Sequence, residues 1–117
     1  MTEEPRLGRT EVSPTAVAGL AAAAVLECYG VVGMARKTLI NGLDEILQRE
    51  HYRRGVQVKV EEQRIVIDLY VVLEYGVRIS EVAHNIMENV KFRVEKALGL
   101  PIAAVNVHVQ GLRVSSK

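Results

Sequence analysis

A single cysteine, no tryptophan and one phenylalanine leave this 117-residue chain few of the side chains that staple or anchor small domains. With Cys28 alone, no internal disulfide can form, and that usage fits a reducing compartment such as the cytoplasm. Aromatic residues make up 4% of the chain. Its core must therefore come from Val, Ile, Leu and Ala, which suits a β-sheet with helices laid on it. Fifteen basic against fourteen acidic residues give a net charge of +1, so there is no general attraction to nucleic acid or anionic lipid. No Gly-rich phosphate loop is present, because Gly30-Val31-Val32-Gly33 lacks both the motif and its lysine. The opening MTEEPRLGR lacks the basic start and apolar run of an export signal. Residues 14–35 form the most hydrophobic window, but much of it is alanine, and Glu27, Gly30 and Gly33 interrupt its second half. It reads as a buried helix followed by a strand, with no direct membrane insertion.

What the chain does have is 49% hydrophobic residues, enough for one core without metal or disulfide. The periodicities divide it into a tail at 1–8, a single domain at 9–114 and a short tail at 115–117. After an edge strand at 9–12, Ser13-Pro14 predicts a helix start, the serine as cap and the proline in the first turn. Val17, Leu20, Ala21, Ala24, Val25 and Cys28 form the inward stripe of that helix. Its other side carries Ala16, Gly19, Ala22, Ala23 and Leu26 where a solvated helix has charges. A strand at 31–35 and a helix at 38–48 follow, then the polar loop QREHYRRG at 48–55. Val56, Val58 and Val60 alternate with polar residues, and 64–75 alternates over a longer stretch, so the two predict a hairpin turning at Glu62-Gln63. Ser80 is the expected cap of a second helix with Val82, Ala83, Ile86, Met87, Val90, Val94, Ala97 and Leu98 inward, ended by Gly99 and Pro101. Val105, Val107 and Val109 mark a last strand. The expected fold is α+β, a two-layer sandwich of a small mixed sheet with two main helices on one face.

Candidate chemistry is sparse. His51, His84 and His108 fall on a loop, a helix exterior and a strand, with no ligand spacing between them, so neither a metal nor a catalytic site is expected. Cys28 lies on an apolar stripe and reads as a structural thiol. Asp68 shares a side of its strand with Tyr70 and Glu74, which alternation places on the sheet face away from the helices, where polar residues are expected. Arg49, Arg53 and Arg54, with Tyr52, form the one local basic cluster, a candidate anion contact. Phe92 falls on the far side of its helix from the apolar stripe, bordered by Glu88, Glu95 and Lys96, an apolar anchor in a charged ring. Phe92 with Glu88 and Lys96, and the small-residue face around Gly19 and Ala23, are candidate protein interfaces.

The segment from Glu74 to Leu112 carries Tyr75-Gly76, Glu81-Val82-Ala83, Val90-Lys91, Gly99-Leu100 and Val105-Asn106-Val107 in order. Together with Val12-Ser13, Gly30-Val31-Val32-Gly33-Met34, Gly42-Leu43, Gly55-Val56 and Ile67-Asp68-Leu69, this order resembles the alkaline-shock-protein family of bacterial envelope-stress proteins. The short tails are similar to the compact housekeeping branch of that family. The resemblance implies a cytoplasmic protein with no established enzymatic activity and no cofactor, associated with the inner side of the membrane through partners. It also implies a partner that is membrane-anchored or kinase-like, since the branch is often encoded near a fatty-acid or dihydroxyacetone kinase-like protein. Phe92 departs from the polar residue expected there in the family.

The function expected from these readings is a non-enzymatic scaffold or adaptor, self-associating, that supports cell-envelope homeostasis or stress response. Two alternatives accompany it. One is a small module binding an anionic ligand or RNA through the basic loop, and the other is an accessory subunit of a fatty-acid or dihydroxyacetone kinase-like enzyme.

Overall fold

The computed structural model describes residues 13–36, 49–62 and 64–114. The edge strand expected at 9–12, the helix expected at 38–48 and both tails lie outside the described residues. The first helix, α1 (Pro14–Leu26), starts as its sequence predicts: Ser13 Oγ accepts from the Ala16 N–H at 3.3 Å, and Pro14 occupies the first turn. Its buried surface is wider than the expected stripe. Ala18 and Ala22 are buried along with Val17, Ala21, Ala24 and Val25, because α1 packs against a second helix and against the sheet. Alanine on both flanks permits that close approach.

Four strands follow: β1 (Val31–Met34), β2 (Val56–Glu61), β3 (Arg64–Glu74) and β4 (Ala104–Arg113). The long helix α2 (Ile79–Leu98) separates β3 from β4, and a 3-10 helix (Arg49–Gly55) precedes β2. The hairpin holds, with Val56 opposite Leu69 and Glu61 opposite Arg64. β1 is also antiparallel to β3, pairing Val31 with Leu73 and Met34 with Val71. On the other edge, β4 runs parallel to β3 from Val66/Ala104 to Glu74/Arg113, since a helical crossover returns the chain to the same end of the sheet. β1 and β2 therefore lie end to end along one edge of β3. The sheet is mixed and both helices cover one face, as expected.

The core lies between Ile65, Ile67, Leu69, Val71 and Leu73 of β3 and the inward residues of the helices, Val82, Ile86, Val90 and Val94 among them. Each such aliphatic side chain gains about 1.5–3 kcal/mol on full burial. Gly99 closes α2 with φ +71°, its N–H bonded to Glu95 O at 2.8 Å; the left-handed cap is what glycine supplies at no steric cost. At the other end Ser80 does not cap. The helix begins at Ile79 with Arg78 in the cap position and no side-chain bond there. Glu81 in the first turn instead offsets the positive end of the helix and faces Arg78 at 3.8 Å.

The sheet face away from the helices differs from the expectation of a solvated polar surface. Asp68, Tyr70 and Val72 are all buried there, so β3 is covered on both faces over this stretch.

Candidate functional site

Phe92 points out of α2 with 60% of its surface exposed, and Lys96 Nζ stands 5.7 Å from the ring centroid, within cation–π reach. Glu88 one turn earlier is exposed and faces His84 at 3.8 Å. Glu95, expected in the charged border, turns aside and accepts from the Ile102 N–H at 2.8 Å, tying the start of the β4 approach to the helix. A ring therefore stands above the surface with cationic and acidic neighbours on one helix face.

The small-residue face of α1 is divided. Ala22 is buried, correcting its outward assignment, while Ala16 and Ala23 are exposed and Gly19 is half-buried. A Cβ built at Gly19 would meet Arg53 Cδ at 3.7 Å, so the 3-10 helix lies beside this face. That helix separates the residues of the basic cluster: Tyr52 turns into the core at 8% exposure, while Arg53 and Arg54 turn out. Tyr52 is thus a packing residue. The Arg49 and His51 side chains lie outside the described residues. Pro14, Thr15 and Ala18 of α1, Val56 and Val58 of β2, and both arginines line one open groove of about 630 Å³. Gly19 and Ala23 are on α1 and Phe92 on α2, so the candidate interface residues occupy two helices, and the groove joins the α1 face to the basic loop.

Two connections between the helices were not legible as sites. Asn89 Nδ2 donates to Ala24 O at 3.0 Å and lies 3.5 Å from Cys28 Sγ, while the Cys28 thiol donates to Ala24 O at 3.4 Å. These bonds satisfy a carbonyl near the end of α1. Burial pushes the Cys28 thiol up, outweighing the Asn89 hydrogen bond. Beside them Arg93 grips Glu27 with its two terminal guanidinium nitrogens, which holds the Glu27 carboxyl below its usual value.

The sheet face away from the helices carries a polar group in which Asp68 and Tyr70 are buried while Asn106 and His108 are exposed. The Asp68 Oδ1 atom accepts from Asn106 Nδ2 at 3.0 Å and lies 3.0 Å from His108 Nε2, and the His108 ring stacks on Tyr70 with centroids 4.6 Å apart. A hydrogen on Nε2 makes His108 the donor. Burial pushes the Asp68 carboxyl up, but the His108 and Asn106 hydrogen bonds, with the charges of His108 and Lys59, outweigh it and hold the pKa below the ordinary aspartate range. Tyr70 is pushed up by burial and by the Asp68 charge. The parallel register creates this group, setting Asp68 opposite Asn106 and Tyr70 opposite His108. The matching i, i+2 spacing of Asp68/Tyr70 and Asn106/His108 was the available signal; it becomes meaningful only once the two strands are known to be neighbours. Among the described residues no group of His, Cys, Asp and Glu is placed to hold a metal ion, and no helix is long and apolar enough to cross a membrane.

A family model matches residues 2–114: the alkaline shock protein 23 family, described as having a cell envelope-related function. The chain is 46% identical over 112 residues to the uncharacterized protein YloU of Bacillus subtilis, covering 95% of this chain and 93% of that protein. It is 44% identical over 108 residues to the uncharacterized protein Spy1614 of Streptococcus pyogenes, covering 92% and 89% respectively. A stress response regulator gls24 homolog of Streptococcus pyogenes is 26% identical over 88 residues, which are 75% of this chain and 49% of the homolog. No solved structure matches. The family is not known as an enzyme family. With nearly the whole chain matched, the protein belongs to the alkaline shock protein 23 family, whose function is related to the cell envelope.

Proposed function

We propose that the protein is a non-enzymatic cytoplasmic scaffold or adaptor that supports cell-envelope homeostasis or stress response through protein contacts. The observation that carries this reading is Phe92, the one phenylalanine of the chain, held 60% exposed on the outer face of a 20-residue helix. Covering the exposed part of such a ring gains about 1–2 kcal/mol, and an apolar anchor rimmed by charge is the arrangement of interface hot spots. The helix beneath it is fixed by four buried aliphatic residues, so the ring is presented with little ordering cost on binding. Self-association is the first contact this surface serves. A membrane-anchored or kinase-like partner is the second, and would bring the protein to the membrane without insertion. The envelope context comes from the family, and the stress context from the name of the gls24 homologs.

The test compares wild type with Phe92→Asp, both checked for folding by circular dichroism. Oligomeric mass is measured by light scattering, and capture by the immobilised proteins is measured from native cell extract. The expected result is a mass above one chain, or a captured protein, that disappears in the variant. An unchanged mass together with an unchanged set of captured proteins refutes Phe92 as the contact.

A further inference from the structure

We propose that the groove between α1 and β2 binds an extended acidic peptide segment of a partner protein. Its floor is apolar, formed by Pro14, Ala18, Val56 and Val58. The strip continues along the same face of β2 to Val60, which is 45% exposed, since exposure rises from Val56 through Val58 to Val60 as the strand emerges from beneath α1. Its wall carries two positive charges. Among the described residues no carboxylate pairs with Arg53 or Arg54, whereas Arg78 and Arg93 both face glutamates. The first turn of α1 opens onto the same groove and contributes no acidic residue of its own to the positive end of the helix. An occupant must therefore bring carboxylates for the wall and small aliphatic side chains for the floor.

The shape selects among anions. A groove of about 630 Å³ is far larger than a phosphate or a lone carboxylate. Single-stranded RNA is held largely by base stacking, and among the described residues no aromatic side chain lines the groove. A lipid surface requires a convex apolar face, whereas this one is concave. An extended chain of alternating acidic and aliphatic residues meets both demands, with side chains on one side repeating every ~6.6 Å as they do along β2. The inference deepens the adaptor reading in one respect, that the anion belongs to a protein.

The probe is a fluorescent peptide of alternating Glu and Val, six residues long to match β2, with a Lys/Val peptide as control. Anionic phosphatidylglycerol vesicles and an oligouridine are tested beside it. Saturable binding of the Glu/Val peptide alone is expected. It should weaken about tenfold or more in the double variant Arg53→Gln/Arg54→Gln and also in Val60→Asp, with folding unaltered because all three side chains are exposed. Equal binding of the Lys/Val peptide overturns the proposal, as do equal affinity in the double variant, no peptide binding, or arginine-dependent binding of vesicles or RNA in place of the peptide. Phe92→Asp should leave peptide binding unchanged. If the peptide fails while Phe92→Asp still changes mass or capture, the groove inference falls and the adaptor reading stands.

Discussion

Replacing Gly55 by alanine sets two effects of opposite sign against each other. The residue ends the 3-10 helix where the chain enters β2, and its backbone has no positive φ. Conformation alone therefore permits alanine, and the smaller entropy of the unfolded chain favours it by about 0.4–1 kcal/mol. Space forbids it. An added Cβ would lie 2.9 Å from Ala35 O and 3.0 Å from Met34 Cβ, and both of those residues are fully buried. Neither atom is the free end of a flexible side chain, so the 3-10 helix must move away from β1 at a cost of about 1–3 kcal/mol. The net expectation is destabilisation by about 1–2 kcal/mol, a fall in Tm of about 4–10 °C for a domain of this size. Gly19→Ala is the internal control. Its Cβ would meet Arg53 Cδ at an ordinary 3.7 Å inside a helix, so the same change should there stabilise by about 0.5–1 kcal/mol. Thermal and urea melts of the two variants should move in opposite directions. A Gly55→Ala protein as stable as wild type would show that the approach of the 3-10 helix to β1 is not tight, and the reasoning would fail.

The remaining predictions concern titratable groups. Asp68 has a pKa depressed below 3.8 in the fold; the unfolded chain then binds protons more readily, so the carboxylate's contribution is present above about pH 4 and is lost as pH falls through the folded value. Asp68→Asn should lose about 1–2 kcal/mol at pH 7 and show a shallower loss of stability below about pH 4 than wild type. Parallel slopes in urea melts across that range would refute the assignment. Cys28, raised by burial, should alkylate with iodoacetamide several-fold more slowly than free cysteine at pH 8 and at the free rate in denaturant; equal rates in the folded protein would contradict its packing against Asn89.

Much of the fold was legible because its signals are local. Ser13-Pro14 and Gly99 are read from a few neighbours, and Val82, Ile86, Val90 and Val94 announce one face of a helix whatever it packs on. The misjudged features depend on what lies opposite. Alternation in β3 suggests one wet face, but Asp68, Tyr70 and Val72 are covered, and the near-continuous apolar run at 65–73 is the pattern of a strand buried on both sides. The Asp68–His108 contact joins residues 40 apart through a parallel register, which a helical crossover determines and no spacing reveals. Tyr52 was grouped with its arginine neighbours because sequence adjacency hides the 120° rotation per residue of a 3-10 helix. For the candidate surfaces, outward placement of Phe92 was readable from helical angle alone. The meeting of Arg53 with the Gly19 face was not, since it depends on how α1 lies over β2.

The pairing scheme gives β3 a rank that its length alone does not convey. Among the described residues every ladder in the sheet includes β3, and β1, β2 and β4 never pair with each other. The architecture is a hub with three spokes. A fault in a spoke breaks one ladder, whereas a fault in the hub breaks all of them at once. Tolerance to substitution is thus partitioned by topology: the periphery can change one ladder at a time, while the eleven residues of the central strand must stay compatible with three neighbours at the same time.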